Sequence, residues 1–142
     1  MLDVRFNQQL TVDPKGRLTL PVRLRNALLD QARTNRLVFI VYNEHLRAYT
    51  HADFLTAVEA RFGALDGFSD EQEATQRRVL GMVNEVDVDD AGRFILPAHV
   101  REIVGIERDV IAISLADRLE LWDARRFAAW WAAHGTSGGA RA

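Results

Sequence analysis

Asp13-Pro14-Lys15-Gly16-Arg17, set between Leu10-Thr11-Val12 and Leu18-Thr19-Leu20-Pro21, reads as two short strands joined by a tight turn. Asp suits the first turn position, Pro14 presets the backbone at the second, and Gly16 accepts a positive φ. Pro21 then opens a helix, because its missing N–H would be unpaired at a first helical position in any case. Leu24, Ala27 and Leu28 follow on one face of that helix. The unit is strand, turn, strand, helix.

The same unit recurs 76 positions later as Val86-Asp87-Val88-Asp89-Asp90-Ala91-Gly92-Arg93-Phe94-Ile95-Leu96-Pro97, with Val100, Ile103 and Val104 on the helix face. Asp13, Gly16, Arg17, Leu20, Pro21 and Arg25 are matched by Asp89, Gly92, Arg93, Leu96, Pro97 and Arg101. After each helix the match resumes at a shift of 73, where Leu46, Tyr49 and Phe54 answer Leu119, Trp122 and Phe127. The difference of three residues predicts a longer loop after the first helix.

A chain of 142 residues, 48% apolar and 27% charged, is ordinary for a soluble globular protein with one core or two small halves. It contains no cysteine, which excludes a disulfide framework and a thiolate metal site. The start of the chain has no apolar run of the secretory kind, and the longest apolar stretches, at 37–42 and 110–115, are too short to span a bilayer. A cytosolic protein with no membrane partner is the default. Net charge is −2, but residues 1–36 carry seven Lys/Arg against three Asp/Glu, and residues 66–90 carry eight acidic against two basic. Such polarity can orient a protein on a polyanion, and it equally fits a solvated surface.

Residues 1–9 read as an approach segment whose only aromatic is Phe6, and the first hairpin and helix run to about residue 29, followed by a polar loop at 30–35. Strands at 37–42 and 46–49 form a second hairpin. Thr50 to Asp53 resembles a capping box with Asp in place of Glu, and opens a helix to about residue 62 with Phe54, Leu55, Val58 and Phe62 on one face. Ser69 to Gln72 caps a linking helix that runs to about residue 82 with Val79, Leu80 and Val83 as its apolar exit. The second copy then adds strands at 110–114 and 119–122, and Asp123 caps a last helix holding Phe127, Trp130 and Trp131. Residues 135–142 have nothing to bury and read as a disordered tail.

The four histidines, His45, His51, His99 and His134, lack HExxH spacing, and no P-loop, GxGxxG or GxSxG occurs. No catalytic residue, metal site or cofactor is expected. The Trp130-Trp131 pair fits core burial or a subunit contact better than base stacking. Arg17 and Arg93 are the informative positions. Each follows a turn at the tip of a two-stranded ribbon, an element that fits the DNA major groove, and the guanidinium fork can engage guanine or bridge phosphates. Lys15 and Arg5 add charge nearby. The plainer reading is that each Asp and Arg pair across the turn and hold its shape.

The paired hairpins DPKGRLTLP and DDAGRFILP, with the linking RRVLGMVNEVDVDDAGR and the later LELWD, resemble the MraZ family. That resemblance spans nearly the whole chain up to the tail. It implies bacterial transcription regulators built from two swapped-hairpin repeats related to AbrB, which bind short direct repeats in double-stranded DNA upstream of the division and cell-wall gene cluster and assemble into rings. Carried over by position, the motif residues are Asp13 and Arg17, then Asp89 and Arg93. The chain departs from the family's usual Met-Phe-Arg-Gly-like start, reading Met1-Leu2-Asp3-Val4-Arg5-Phe6, and has Asp90 and Ala91 where the first repeat has Pro14 and Lys15. The second tip is therefore less basic, and the two are expected to contribute unequally.

Two strands and a short helix bury too little to stand alone, so the copies are expected to interleave into one pseudo-twofold α+β domain. The expected organisation is a first repeat at 1–66, a linking helix at 67–83, a second repeat at 84–134 and a tail at 135–142. The function expected is a sequence-specific DNA-binding regulator, acting as a repressor at the nucleoid in the cytoplasm. Arg17 and Arg93 would be the DNA contacts, Lys15 phosphate support, and Asp13, Gly16, Asp89 and Gly92 the turn-shaping residues. Its partners would be double-stranded DNA and copies of itself, with no small-molecule ligand. The competing class is an AbrB-like antitoxin or interaction scaffold, using the acidic middle segment as its surface.

Overall fold

The computed structural model describes residues 7–139, with side-chain positions through residue 135. Arg5 and Phe6, the atypical chain start and the last three positions of the expected tail lie outside the described residues.

Among the described residues eight strands form two antiparallel sheets, and each repeat's strands pair across to the other's. The first repeat supplies β1 (Asn7–Thr11), β2 (Arg17–Thr19), β3 (Arg36–Tyr42) and β4 (His45–Tyr49). The second supplies β5 (Asn84–Asp87), β6 (Arg93–Ile95), β7 (Asp109–Ser114) and β8 (Leu119–Asp123). The six-stranded sheet runs β1-β7-β8-β4-β3-β5, and β2 pairs only with β6. Thus β1 lies on β7 with Leu10 opposite Val110, and β5 lies on β3 with Val86 opposite Leu37. The interleaved α+β arrangement follows from these pairings. One expectation needs correction, since β1 and β2 flank a closed turn but form no ladder with each other. Instead, β2 and β6 make a single ribbon shared between the repeats, with Leu18 opposite Phe94.

The sheet has a core on each face. Leu37 and Phe39 of β3 pack into the larger cluster with Leu18, Phe94, Leu96, Leu121 and the helix residues Leu24, Leu28, Val100 and Val104. Their neighbours Val38 and Ile40 enter a second cluster with Tyr49, Phe54, Val58 and Val79. Burial on both faces explains why β3 is a continuous apolar run rather than an alternating one. Phe94 stacks on Phe39 at 5.6 Å, fastening the ribbon to the sheet. Burying a side chain of that size contributes roughly 1.5–3 kcal/mol.

Helix α1 (Val22–Ala27) begins just after Pro21, and α5 (Ala98–Val104) just after Pro97. α5 ends at Gly105 in the left-handed region, whereas α1 widens into a π-helical turn, Leu28–Ala32, ending at Arg33 with φ 55°. The three extra residues of the first repeat are taken up in that added turn, so the first half of the loop expected at 30–35, through Ala32, is helical. α2 (His51–Phe54) continues through a π-helical segment, Leu55–Glu59, into α3 (Ala60–Phe62). Thr50 caps α2, its hydroxyl accepting the Asp53 N–H at 3.2 Å. Ser69 caps α4 (Asp70–Val79) through the Gln72 N–H at 3.1 Å, and a 3-10 turn, Leu80–Met82, leads into β5. Asp123 caps α6 (Ala124–Gly139), accepting the Arg126 N–H at 3.1 Å.

Two helix-face expectations fail at single positions. Ile103 and Leu55 are 48% and 43% exposed, because their helices touch the body along a narrower stripe than the apolar pattern suggests. α6 extends through Gly139, past the point where the sequence begins the tail. Among the described residues no helix is long and apolar enough to cross a membrane.

Candidate nucleic-acid interface

Each turn is built by its aspartate. The Gly16 N–H donates to the Asp13 carbonyl, and the Asp13 N–H to the Arg17 carbonyl, both at 2.9 Å. One carboxylate oxygen of Asp13 accepts the main-chain N–H groups of Lys15 and Arg17, each at 2.9 Å, and the other accepts Arg17 Nε at 2.7 Å. In the second repeat, Asp89 accepts the N–H groups of Ala91 and Arg93 at 2.9 Å, and Arg93 Nε at 3.0 Å. The main-chain hydrogen bond from Arg17, then its side chain, holds the Asp13 carboxyl below the usual range. The N–H of Arg93 leads the same effect at Asp89. Gly16 and Gly92 take φ of 83° and 84°, a conformation a Cβ would strain.

The pairing of Asp and Arg across each turn is therefore present, made through Nε. It orients each guanidinium without burying it: the side chains of Arg17 and Arg93 are 37% and 46% exposed.

The ribbon brings the two arginines together, where the sequence suggests two separate tips. Leu18 and Phe94 point inward and are buried, so the alternation of a strand leaves Arg17, Thr19, Arg93 and Ile95 on the opposite, outer face. Ladder bonds continue past the strands, from the Leu20 N–H to the Gly92 carbonyl at 2.8 Å and from the Leu96 N–H to the Gly16 carbonyl at 2.9 Å. Each turn is thereby tied to the other repeat. Lys15 lies exposed in the first turn, and Asp90 and Ala91 in the second.

Arg25 and Arg101, which recur in the repeat but carry no role in the sequence reading, fasten this arrangement. Arg25 donates to the Asp90 carbonyl at 2.7 Å, and its stem packs 3.2 Å from where a Cβ on Gly92 would stand. Arg101 donates to the Leu96 carbonyl at 3.1 Å and lies 3.2 Å from the same position on Gly16. Each helix thus braces the other repeat's turn. Their recurrence in the repeat was the available signal.

A second polar cluster sits at the sheet near α6. Glu120 is buried, and its carboxylate accepts from Trp122 Nε1 at 3.0 Å and Arg118 Nε at 2.8 Å, with His45 Nε2 at 3.3 Å. Burial pushes its pKa up, but hydrogen bonds from the His45 ring, Trp122 and Arg118 outweigh that and bring it down to about 2. The His45 ring stacks on Trp122 at 4.5 Å. Trp122 also meets Phe127 and Trp130 of α6 at 5.6 and 6.1 Å, while Trp130 and Trp131 remain 40% and 51% exposed. The alternation of β8 gave no sign that Glu120 would be inside.

Two interleaved repeats presenting two exposed arginines on one face of a shared β-ribbon define a class of small double-repeat α+β proteins. Comparison with known proteins is specific. The chain belongs to the MraZ family. The family model described as "MraZ protein, putative antitoxin-like" matches residues 79–136. A protein of Chromobacterium violaceum named transcriptional regulator MraZ is 35% identical over 118 residues, which cover 83% of this chain and 79% of that protein. The protein of the same name in Bordetella pertussis is 33% identical over 84% of this chain and 81% of its own length. The one in Cytophaga hutchinsonii is 29% identical over 79% of this chain and 74% of its own length.

Proposed function

We propose that the chain regulates transcription by binding double-stranded DNA through the β2–β6 ribbon, repressing from short direct repeats upstream of the division and cell-wall gene cluster. Arg17 and Arg93 on the outer face of one ribbon carry this reading. A two-stranded ribbon fits the major groove, and the arginine fork is the side chain that addresses guanine O6 and N7 together. Lys15 supports a neighbouring phosphate, while the aspartates fix the direction of each guanidinium. The names of the relatives, transcriptional regulators, agree with this role.

Action in a homo-oligomer at the nucleoid completes the reading, with the exposed Trp130 and Trp131 of α6 as the subunit contact. The description of the family model as antitoxin-like keeps a protein-binding role as the second reading. Its expected surface is already partly paired, since Arg36 meets Glu85 at 3.5 Å and Asp87 at 3.0 Å, and Arg77 meets Glu73.

The deciding experiment titrates the DNA upstream of the protein's own gene against a scrambled duplex at matched salt. The regulator reading expects preferential binding to the native duplex, lost in the Arg17→Ala, Arg93→Ala double variant. Equal affinity for both duplexes, with capture of the product of a neighbouring gene, would establish the second reading instead.

A further inference from the structure

The outer face of the ribbon is not symmetric. The register of 76 makes Thr19 and Ile95 equivalent, just as it does Arg17 and Arg93, yet one is a hydroxyl side chain and the other wholly apolar. Ile95 is 59% exposed, while Phe94 and Leu96 on either side of it are buried at 3% and 1%. A lone exposed apolar residue is unremarkable by itself; its position is what matters here. Strand pairing places Ile95 directly opposite Arg17, and Thr19 directly opposite Arg93. Opposite residues of an antiparallel pair hold their Cβ atoms about 4.5–5.5 Å apart, and bases on one strand lie about 3.4 Å apart along the axis. A base edge met by Arg17 therefore has a neighbour within reach of Ile95.

The major groove offers one apolar group for such a side chain, the C5-methyl of thymine. Isoleucine is stiff at χ1, so presenting its methyls there costs little rotamer entropy. The other asymmetry of the site lies at the same end: Lys15 stands in the turn leading to Arg17, and the equivalent turn position leading to Arg93 is Ala91, beside Asp90. We propose that Ile95 is a specificity-determining residue that contacts a thymine methyl beside the base engaged by Arg17. Thr19 presents a hydroxyl at the equivalent place, which can bond to the edge of any base. One pseudo-twofold protomer then reads a box without dyad symmetry, and the end carrying Lys15, Arg17 and Ile95 fixes its direction.

This inference rests on the DNA-binding reading of the ribbon, and its test separates the two. The full-length chain is used to enrich binding boxes from a random duplex pool, and each thymine of the enriched box is then replaced singly by deoxyuridine, which pairs identically but lacks the methyl. At one thymine beside the base whose contact is lost in Arg17→Ala, the replacement is expected to weaken the wild-type chain roughly fourfold, the effect of removing one buried carbon. Ile95→Ser, at an exposed strand position, should bind both duplexes equally at unchanged oligomeric state. An enriched box that depends on Arg17 but is indifferent to deoxyuridine at every thymine overturns the inference and leaves DNA binding intact. Persistence of the penalty in Ile95→Ser overturns it too. A pool in which no box is enriched overturns both.

Discussion

Arg17 and Arg93 are held by the aspartates four residues before them, so each guanidinium is aimed before any ligand arrives. Arg17→Ala is expected to weaken specific DNA binding by roughly 1–3 kcal/mol per contacting subunit, with Arg93→Ala similar or smaller because its turn lacks the lysine. Both variants should keep the wild-type melting temperature closely; operator binding at wild-type strength by both would remove these residues from the interface. Lys15→Ala should instead act evenly on all sequences and reduce the salt slope by about one. At Glu120 the expectation concerns stability. Its folded pKa of about 2 lies below the ordinary 4.5, so the stability it contributes is fully present above about pH 4.5 and is lost as pH falls toward 2. Urea midpoints measured between those limits should rise with pH in the wild-type chain and rise less in Glu120→Gln. Parallel curves would mean that the buried carboxylate does not govern acid stability.

At the scale of elements, the exchange of strands between repeats makes each half incomplete. Without the second repeat, β1 loses β7, β2 loses β6 and β3 loses β5. The larger core would lose Phe94, Leu96, Val100, Val104 and Leu121, all fully or nearly fully buried. A chain ending at Gly67 is therefore expected to self-associate, one copy supplying the missing strands of another, or to aggregate. Sedimentation and thermal melting distinguish these outcomes from the alternative, a cooperatively melting monomer, which would show that the first repeat folds independently. The same exchange puts both arginines on one ribbon, and Arg25 and Arg101 couple each turn to the opposite helix, so the site depends on both halves at once.

For the whole molecule, affinity has to be built from few cations. The net charge is −2, and a single ribbon offers Arg17, Arg93 and Lys15 against Asp13, Asp89 and Asp90. One box alone should bind near the ~10⁻⁴ to 10⁻⁶ M typical of non-specific contacts. An oligomer meeting successive boxes makes the second contact intramolecular, which can add a factor of about 10² to 10⁴. The boxes should then lie about one helical turn apart, roughly 10–10.5 bp, in direct order, as a head-to-tail ring requires. Titration of duplexes with one, two or three boxes should show that gain, and an insertion of about 5 bp, half a turn, should abolish it. Equal affinity for one box and three would point to independent protomers.

The sequence by itself determined the repeat, the turns and most of the helix starts, because these depend on local chemistry. Asp13 and Asp89, Gly16 and Gly92, Pro21 and Pro97, and the caps at Thr50, Ser69 and Asp123 each act within a few residues of themselves. The apolar runs also located β3 and β7, and the smallness of each copy required the two to complete one another. Only the tertiary structure decided which strand pairs with which. Two apolar strands joined by a tight turn satisfy the pattern equally well as a ribbon of their own or as halves of shared ladders, and the choice lies in packing between residues 74 to 106 positions apart. That choice moved Arg17 and Arg93 from two tips to one face and placed Ile95 beside Arg17. It also drew Glu120 inside, where His45 of β4, Trp122 of β8 and Arg118 from between β7 and β8 converge on it, a meeting that no local pattern records.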